Sequence, residues 1–267
     1  MVSAQNRNVG VDPNGKNLWA MARFVYGENL TSTQKLAVKE TLLRIQALTN
    51  VRFYNATGQP TQDPRTHSDY PYINFRAVEP KDTSSSYVGK KGGKQDINPA
   101  DFAFWQPGVI EHEICHALGL LHEMCRYDRD DYVIIKTSNL TDIGKANFQK
   151  RTENYSIRGN YDFQSIMGYS SMTGSQTMVY DTHKPMYTKM DGSYIMQGLT
   201  LSDGDRRWLN YYYFPYIARS DTYYELDSVL YDGDNNRMPE SKRPEWQAAL
   251  NNGNSNPPAN GRIPNEF

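Results

Sequence analysis

Residues 112–123 read HEICHALGLLHE. His112 and His116 stand four apart, so on a helix they lie one turn above the other and can offer both imidazoles to one metal ion. Gly119 carries no Cβ penalty at positive φ, which lets it end the helix and return the chain so that His122 supplies a third nitrogen. Three imidazoles leave a tetrahedral zinc ion one open corner, where a bound water has its pKa lowered to about 7. Glu113 stands beside them as a carboxylate able to take that water's proton during attack on a carbonyl carbon. The chemistry such a group performs is hydrolysis of amide bonds.

Any one of these histidines, met alone, reads as a core or surface residue with its hydrogen bonds satisfied, and a bare HExxH occurs in many inert helices. Three histidines at this spacing beside Glu113 reverse that preference. At about 100° per residue, Ile110, Ile114 and Ala117 share one stripe and His112 with His116 falls roughly opposite, so the helix turns its back to the core. Pro107 and Gly108 mark its entry and Gly119 its exit.

A second helix is predicted over 31–48, with Val38, Leu42 and Ile45 on one stripe and Leu36, Leu43 and Ala47 on another, which predicts cover on both sides. Short β-prone runs surround it at Arg23–Tyr26, Val51–Tyr54, Tyr72–Val78, Ser86–Gly89 and Gln95–Asn98. The expected fold is α+β: a mixed twisted sheet backed by two long helices, with the metal at its lower margin. Beyond Glu123 the chain reads as largely irregular until a helix over 202–213, where Ser202 is the cap and Asp205 the third helical residue. A short helix signal at Pro244–Leu250 precedes the polar ending NNGNSNPPANGRIPNEF. Asp232, Asp234 and Asn236 begin like a calcium loop, but Arg237 and Arg243 stand where it needs glycine and glutamate.

The 267 residues have a formal charge of −1, which gives no field for nucleic acid or an anionic membrane, and neither partner is expected. No run approaches a membrane span, and the start MVSAQNRN lacks the apolar stretch of a signal peptide. The expectation is a mature or trimmed form of a secreted, extracellular protein. The two cysteines, Cys115 and Cys125, flank the third histidine, and the turn at Gly119 brings a disulfide between them within reach. Two small buried thiols are the alternative, and thiolate ligation of the metal is disfavoured because three histidines fill the protein's positions.

The extended HExxHxxGxxH pattern is the metzincin signature. Glu123 with Arg126, Asp128, Arg129, Asp130 and Tyr132 resembles the astacin family of metzincins, and SIMGY at residues 165–169 resembles that family's Met-turn. Trp19, SYVGKKGGKQ at residues 86–95, and Leu201, Ser202, Asp205, Asn210 and Tyr213 also resemble family positions. The resemblance implies a zincin-like catalytic domain over residues 19–215. It divides into an upper lobe over about 19–122 and a lower lobe over about 123–215, with the cleft between them. Residues 1–18 precede the domain and 216–267 form an extension. It further implies one catalytic zinc ion on His112, His116 and His122, with Glu113 as general base and then acid and Met167 beneath the metal. Tyr169 becomes a mobile fifth ligand that swings away to stabilise the oxyanion. An extended substrate would lie antiparallel to the edge at Ser86, Tyr87, Val88 and Gly89. Glu123 would receive, through water, a new amino terminus whose equivalent lies near Gly10.

This chain departs from the family pattern in several places. The family's two disulfides fall on Ser84 with Phe104 and Asn50 with Pro215, so both are missing, and Gly168 replaces the usual Met-turn histidine. The departures resemble a divergent bacterial branch. The expected function is a zinc-dependent endopeptidase acting on extended protein or peptide substrates. The rival is a zinc-stabilised binding module with a blocked cleft, against which an intact Glu113 argues.

Overall fold

The computed structural model describes residues 9–11, 19, 22–62, 67–77, 84–152, 155–157 and 159–213, with residues 234–236 and 239. Strand β1 (Val9–Val11) pairs antiparallel with β7 (Tyr155–Ile157), placing Val9 opposite Ile157. Strand β2 (Ala22–Tyr26) is followed by helix α1 (Ser32–Leu48), β3 (Phe53–Asn55), β4 (Tyr72–Phe75), β5 (Lys94–Ile97) and helix α2 (Pro107–Ala117). The four strands stand in the order β3-β2-β4-β5, and every pair is parallel. Among the described residues, the antiparallel part of the expected mixed sheet beside β5 is a bridge between Ser85 and Asn98. Strand β4 ends at Phe75, short of the expected Val78, which lies outside the described residues.

Alternation along β2 explains how the sheet meets the helices. Ala22, Phe24 and Tyr26 are buried while Arg23 and Val25 between them are half-buried, the period-two signature of a covered sheet face. Phe24 and Phe75 meet edge to face, and the cluster continues through Val38, Leu42 and Ile45 of α1 to Ile110 and Ile114 of α2. Helix α1 is started by Thr31, whose hydroxyl accepts from the Gln34 backbone while Gln34 returns a bond to the Thr31 N–H. Its second stripe is not covered: Leu36, Leu43 and Ala47 are exposed. Two apolar stripes on a wheel do not specify two partners, and among the described residues the elements packed on α1 cover the Val38, Leu42 and Ile45 side.

A second core gathers Met124, Phe148, Tyr161, Tyr187 and Ile195, with β6 (Val133–Ile135) paired antiparallel to β8 (Tyr187–Lys189) and α3 (Asp142–Asn147) at its side. Helix α4 (Asp203–Tyr212) follows and is capped by Ser202, with Asp205 completing the reciprocal bond. Trp208 and Leu209 bury into the first core, so α4 closes the same core that α2 backs onto. The Pro244–Leu250 helix signal lies outside the described residues. Asn235 reaches α4, accepting from the Asn210 amide and donating to the Asp203 carbonyl.

Two positions expected to have lost covalent bridges carry hydrogen bonds instead. Asn50 donates its backbone N–H to Asn210 Oδ1 at 2.7 Å and its side-chain amide to the Asn210 carbonyl at 3.2 Å, pinning the end of α1 to α4. Ser84 Oγ accepts from the Ala100 N–H at 2.9 Å, and Phe104 buries into the core.

Candidate metal centre

Helix α2 ends where the metal ligands need it to end. Gly119 adopts φ +110°, a conformation that a side chain would strain. The last carbonyls of the helix are taken up by ring donors from far away: Trp19 Nε1 donates to Ala117 O at 2.9 Å and the Tyr213 hydroxyl to Leu118 O at 2.7 Å. Gly119 N–H and Gly89 N–H both donate to His116 O at 2.8 Å.

Beyond the turn, His122 comes back over the helix. Its Nε2 lies 3.2 Å from His112 Nε2 and 3.1 Å from His116 Nε2. Nitrogens bound to zinc at about 2.0–2.1 Å on a tetrahedron stand about 3.3 Å apart, so the spacing of the three atoms is one that could hold such an ion. The opposite nitrogens are committed. His112 Nδ1–H donates to Ile166 O at 2.7 Å and His116 Nδ1–H to Leu120 O at 2.9 Å, which fixes each tautomer and leaves the Nε2 lone pairs facing inward. Burial, and for His116 the neighbouring His112, push His116 down to about 3, and burial likewise lowers His112 and His122. Three neutral imidazoles converging on one point are the donor set of a zinc site, and no other group of metal-binding side chains occurs among the described residues.

Glu113 is buried beside this cluster, and burial pushes its carboxyl up to about 7. A carboxyl poised there can accept a proton near neutral pH and release it again.

Below the histidines the chain makes a tight turn at Ser165–Gly168, closed by Gly168 N–H on Ser165 O. Met167 is buried in the first core, and its carbonyl accepts from the Glu123 N–H at 3.0 Å. The turn hangs from Asp205 of α4, whose two oxygens accept from Ser165 Oγ at 2.7 Å and Ile166 N–H at 2.9 Å. Sequence reasoning found Asp205 as a helix cap and as a residue resembling a family position, and gave it no part in holding this turn; a carboxylate in the first turn of an otherwise apolar-faced helix was the available signal. At Gly168 an added Cβ would meet only Ser165 O at 3.4 Å, so space does not demand glycine there.

Glu123 is buried and pairs with buried Arg126 at 2.9 Å, while its Oε1 also accepts from the Asp162 N–H at 2.8 Å. Burial pushes Glu123 up to about 7 against the pull of Arg126 and that N–H. Arg126 further pairs with Asp128 and donates to the carbonyls of Gly159 and Asn160, binding the segment after His122 to the lower core.

Tyr169 packs its ring 4.6 Å from that of His122, and its hydroxyl donates to Asn147 Oδ1 at 3.4 Å. Burial raises its phenol. Ser86, Tyr87, Val88 and Gly89 form no strand among the described residues; the run is irregular chain, held at Ser85 by its bridge to Asn98 and at Gly89 by its bond to α2. Tyr87 is exposed under Lys91, whose Nζ lies 3.5 Å from the ring centroid.

Of the two readings of the cysteine pair, a Cys115–Cys125 disulfide or two small buried thiols, the structure gives the second: both thiols are free and buried. Cys115 faces the first core from the back of α2, whereas Cys125 Sγ donates to Asn147 O at 3.2 Å on the opposite side of the ligand turn. The turn at Gly119 returns the chain toward the histidine face of the helix, so a residue on its rear cannot be met.

Comparison with known proteins agrees with this geometry. A sequence model described as Astacin, a peptidase family, matches residues 12–214. Flavastacin of Elizabethkingia meningoseptica is 38% identical over 117 residues, 43% of this chain and 25% of its own. Zinc metalloproteinase nas-14 of Caenorhabditis elegans is 32% identical over 163 residues, 60% of this chain and 30% of its own. The match thus spans under a third of the length of either relative. Among solved structures, High choriolytic enzyme 1, a hatching enzyme zinc-protease of the medaka fish Oryzias latipes, is similar with a TM-score of 0.60 at 22% identity, over 74% of this chain and 94% of that one.

Proposed function

The chain belongs to the astacin family of peptidases, and on that premise we propose that it is a zinc-dependent endopeptidase that cleaves extended protein or peptide substrates outside the cell. The observation that carries this reading is the convergence of His112, His116 and His122 through Nε2 atoms 3.1–3.2 Å apart, with buried Glu113 beside them. A zinc ion held by these three nitrogens would acidify water and polarise a peptide carbonyl. Glu113 accepts the proton of the attacking water and delivers it to the leaving nitrogen, the exchange a carboxylate beside both groups can make. Tyr169 would be a further ligand of that ion at rest, and its hydroxyl would donate to the substrate carbonyl oxygen as negative charge develops there.

The segment 86–89 supplies a length of backbone beside α2, held next to its start by the Ser85 bridge and at its end by the Gly89 bond to α2, along which an extended peptide can pair. Residues 19–215 form the catalytic unit in this reading, with residues 216–267 an extension. No helix among the described residues is long and apolar enough to cross a membrane.

Metal analysis of the purified protein, together with cleavage of an unstructured protein such as casein with and without a chelator, tests the proposal. One zinc per chain and chelator-sensitive cleavage are expected. A zinc-loaded protein that leaves casein intact would instead be a binding module.

A further inference from the structure

Tyr169 can serve both as a ligand and as an oxyanion donor only if its phenol has somewhere to go between the two. Its backbone is fixed: Gly168 N–H bonds Ser165 O, the Tyr169 carbonyl accepts from the Tyr187 hydroxyl, and Ser171 N–H bonds Ile195 O. Movement is therefore confined to the side-chain torsions. Phe148, buried and edge-on to the Tyr169 ring with centroids 6.1 Å apart, walls one side, so a hydroxyl leaving the metal enters a half-buried place in which the Asn147 amide already offers an acceptor.

We propose that Asn147 is a positioning residue that provides this second resting place for the Tyr169 phenol, an inference that rests on the role given to Tyr169 above. Asn147 Oδ1 accepts from the phenol at 3.4 Å, a long bond and hence one easily left. The amide cannot turn its nitrogen toward the phenol without losing another bond, because Nδ2 donates to Ile143 O at 2.9 Å. Asn147 is also held to the ligand turn: its own carbonyl accepts from Cys125 Sγ at 3.2 Å, and Cys125 N–H bonds His122 O at 3.0 Å. The acceptor therefore sits at a set distance from the third histidine, on the same framework, and the phenol has two places, the metal and this amide, between which it divides its time.

The test joins a spectroscopic readout to a double-mutant cycle. A phenol oxygen bound to Cu(II) gives a visible charge-transfer band, so the copper-loaded protein reports how much of Tyr169 is on the metal. Asn147→Leu removes the competing acceptor and is expected to strengthen the band. It should lower kcat about three- to tenfold with KM changed less than about twofold, and have almost no effect on kcat in a Tyr169→Phe background. Asn147→Ser, too short to reach the phenol, should match it and covers the case in which the leucine variant does not fold. An unchanged band, or an equal loss of rate in both backgrounds, overturns the role of Asn147. A parent protein with no band, and as active as Tyr169→Phe, instead removes Tyr169 from the site, and this inference with it.

Discussion

Ile166 is held from both sides: its N–H donates to Asp205 Oδ2 at 2.9 Å, and its carbonyl accepts from His112 Nδ1 at 2.7 Å. One residue's backbone thus transmits the position of α4 to the first of the three converging histidines. The carboxylate is neither a ligand nor near the ligands in sequence, yet it fixes the turn that fixes the ring.

Asp205→Asn should therefore cost both stability and metal. The new amide presents a donor where Ser165 Oγ or the Ile166 N–H now finds an acceptor, leaving a buried group unsatisfied at about 1–3 kcal/mol. Zinc affinity should fall about 10–100-fold, as when outer partners of ligating histidines are lost. Chemical denaturation and competition with a chelating dye measure the two effects; unchanged zinc affinity would confine Asp205 to capping α4.

Glu113→Gln should retain one zinc per chain and lose about 10²–10⁴ in kcat. It should also change how metal-free stability varies with pH. Burial raises Glu113 from 4.5 to about 7, so its contribution to stability is whole below 4.5 and is lost as pH rises through 7. The variant lacks that loss. Relative to the parent, it should gain on the order of 1–3 kcal/mol between about pH 4.5 and 7.5. Paired melting curves of the chelated proteins, in which the histidines contribute alike, would show a flat difference if Glu113 were not buried as described.

Tyr169→Phe keeps the ring that packs against His122 and removes only the hydroxyl. It should fold, bind zinc and lose about 10–10³ in kcat, the range for a missing oxyanion donor. Steady-state rates on one peptide decide it, and a rate equal to the parent's excludes the hydroxyl from the reaction.

Asn210→Ala tests the hydrogen-bonded join between α1 and α4. It deprives the buried Asn50 N–H of its acceptor, so about 1–3 kcal/mol should be lost, with zinc content unchanged. Thermal melting reads this as a fall of about 2–4 °C per kcal/mol for a chain of this size. No change in melting would mean that water replaces the lost carbonyl.

Much of the site was legible because its residues are neighbours in the chain. Spacing alone placed His112 and His116 on one face, Gly119 at the exit and His122 beyond it. What failed were readings that needed a partner to be known. Leu36 and Leu43 looked like a second buried stripe and are exposed, because a wheel records polarity and not what stands opposite. Cys115 and Cys125 looked close through the turn, yet the rear of a helix and its metal face are separated by the helix itself. The run 86–89 has strand-forming residues but lacks a neighbour to complete a ladder beyond the Ser85 bridge.

By itself the sequence determined the donor set, the direction of the helix that carries it, and the acid beside it, since all three follow from local periodicity and one glycine. Only the tertiary structure decided which carbonyls orient the rings, that Asp205 suspends the turn beneath them, and that Asn147 meets Tyr169. Those bonds join residues 22 to 54 positions apart in three of the four cases. Such pairs carry no periodic signal, because their geometry exists only once two cores have packed against one another.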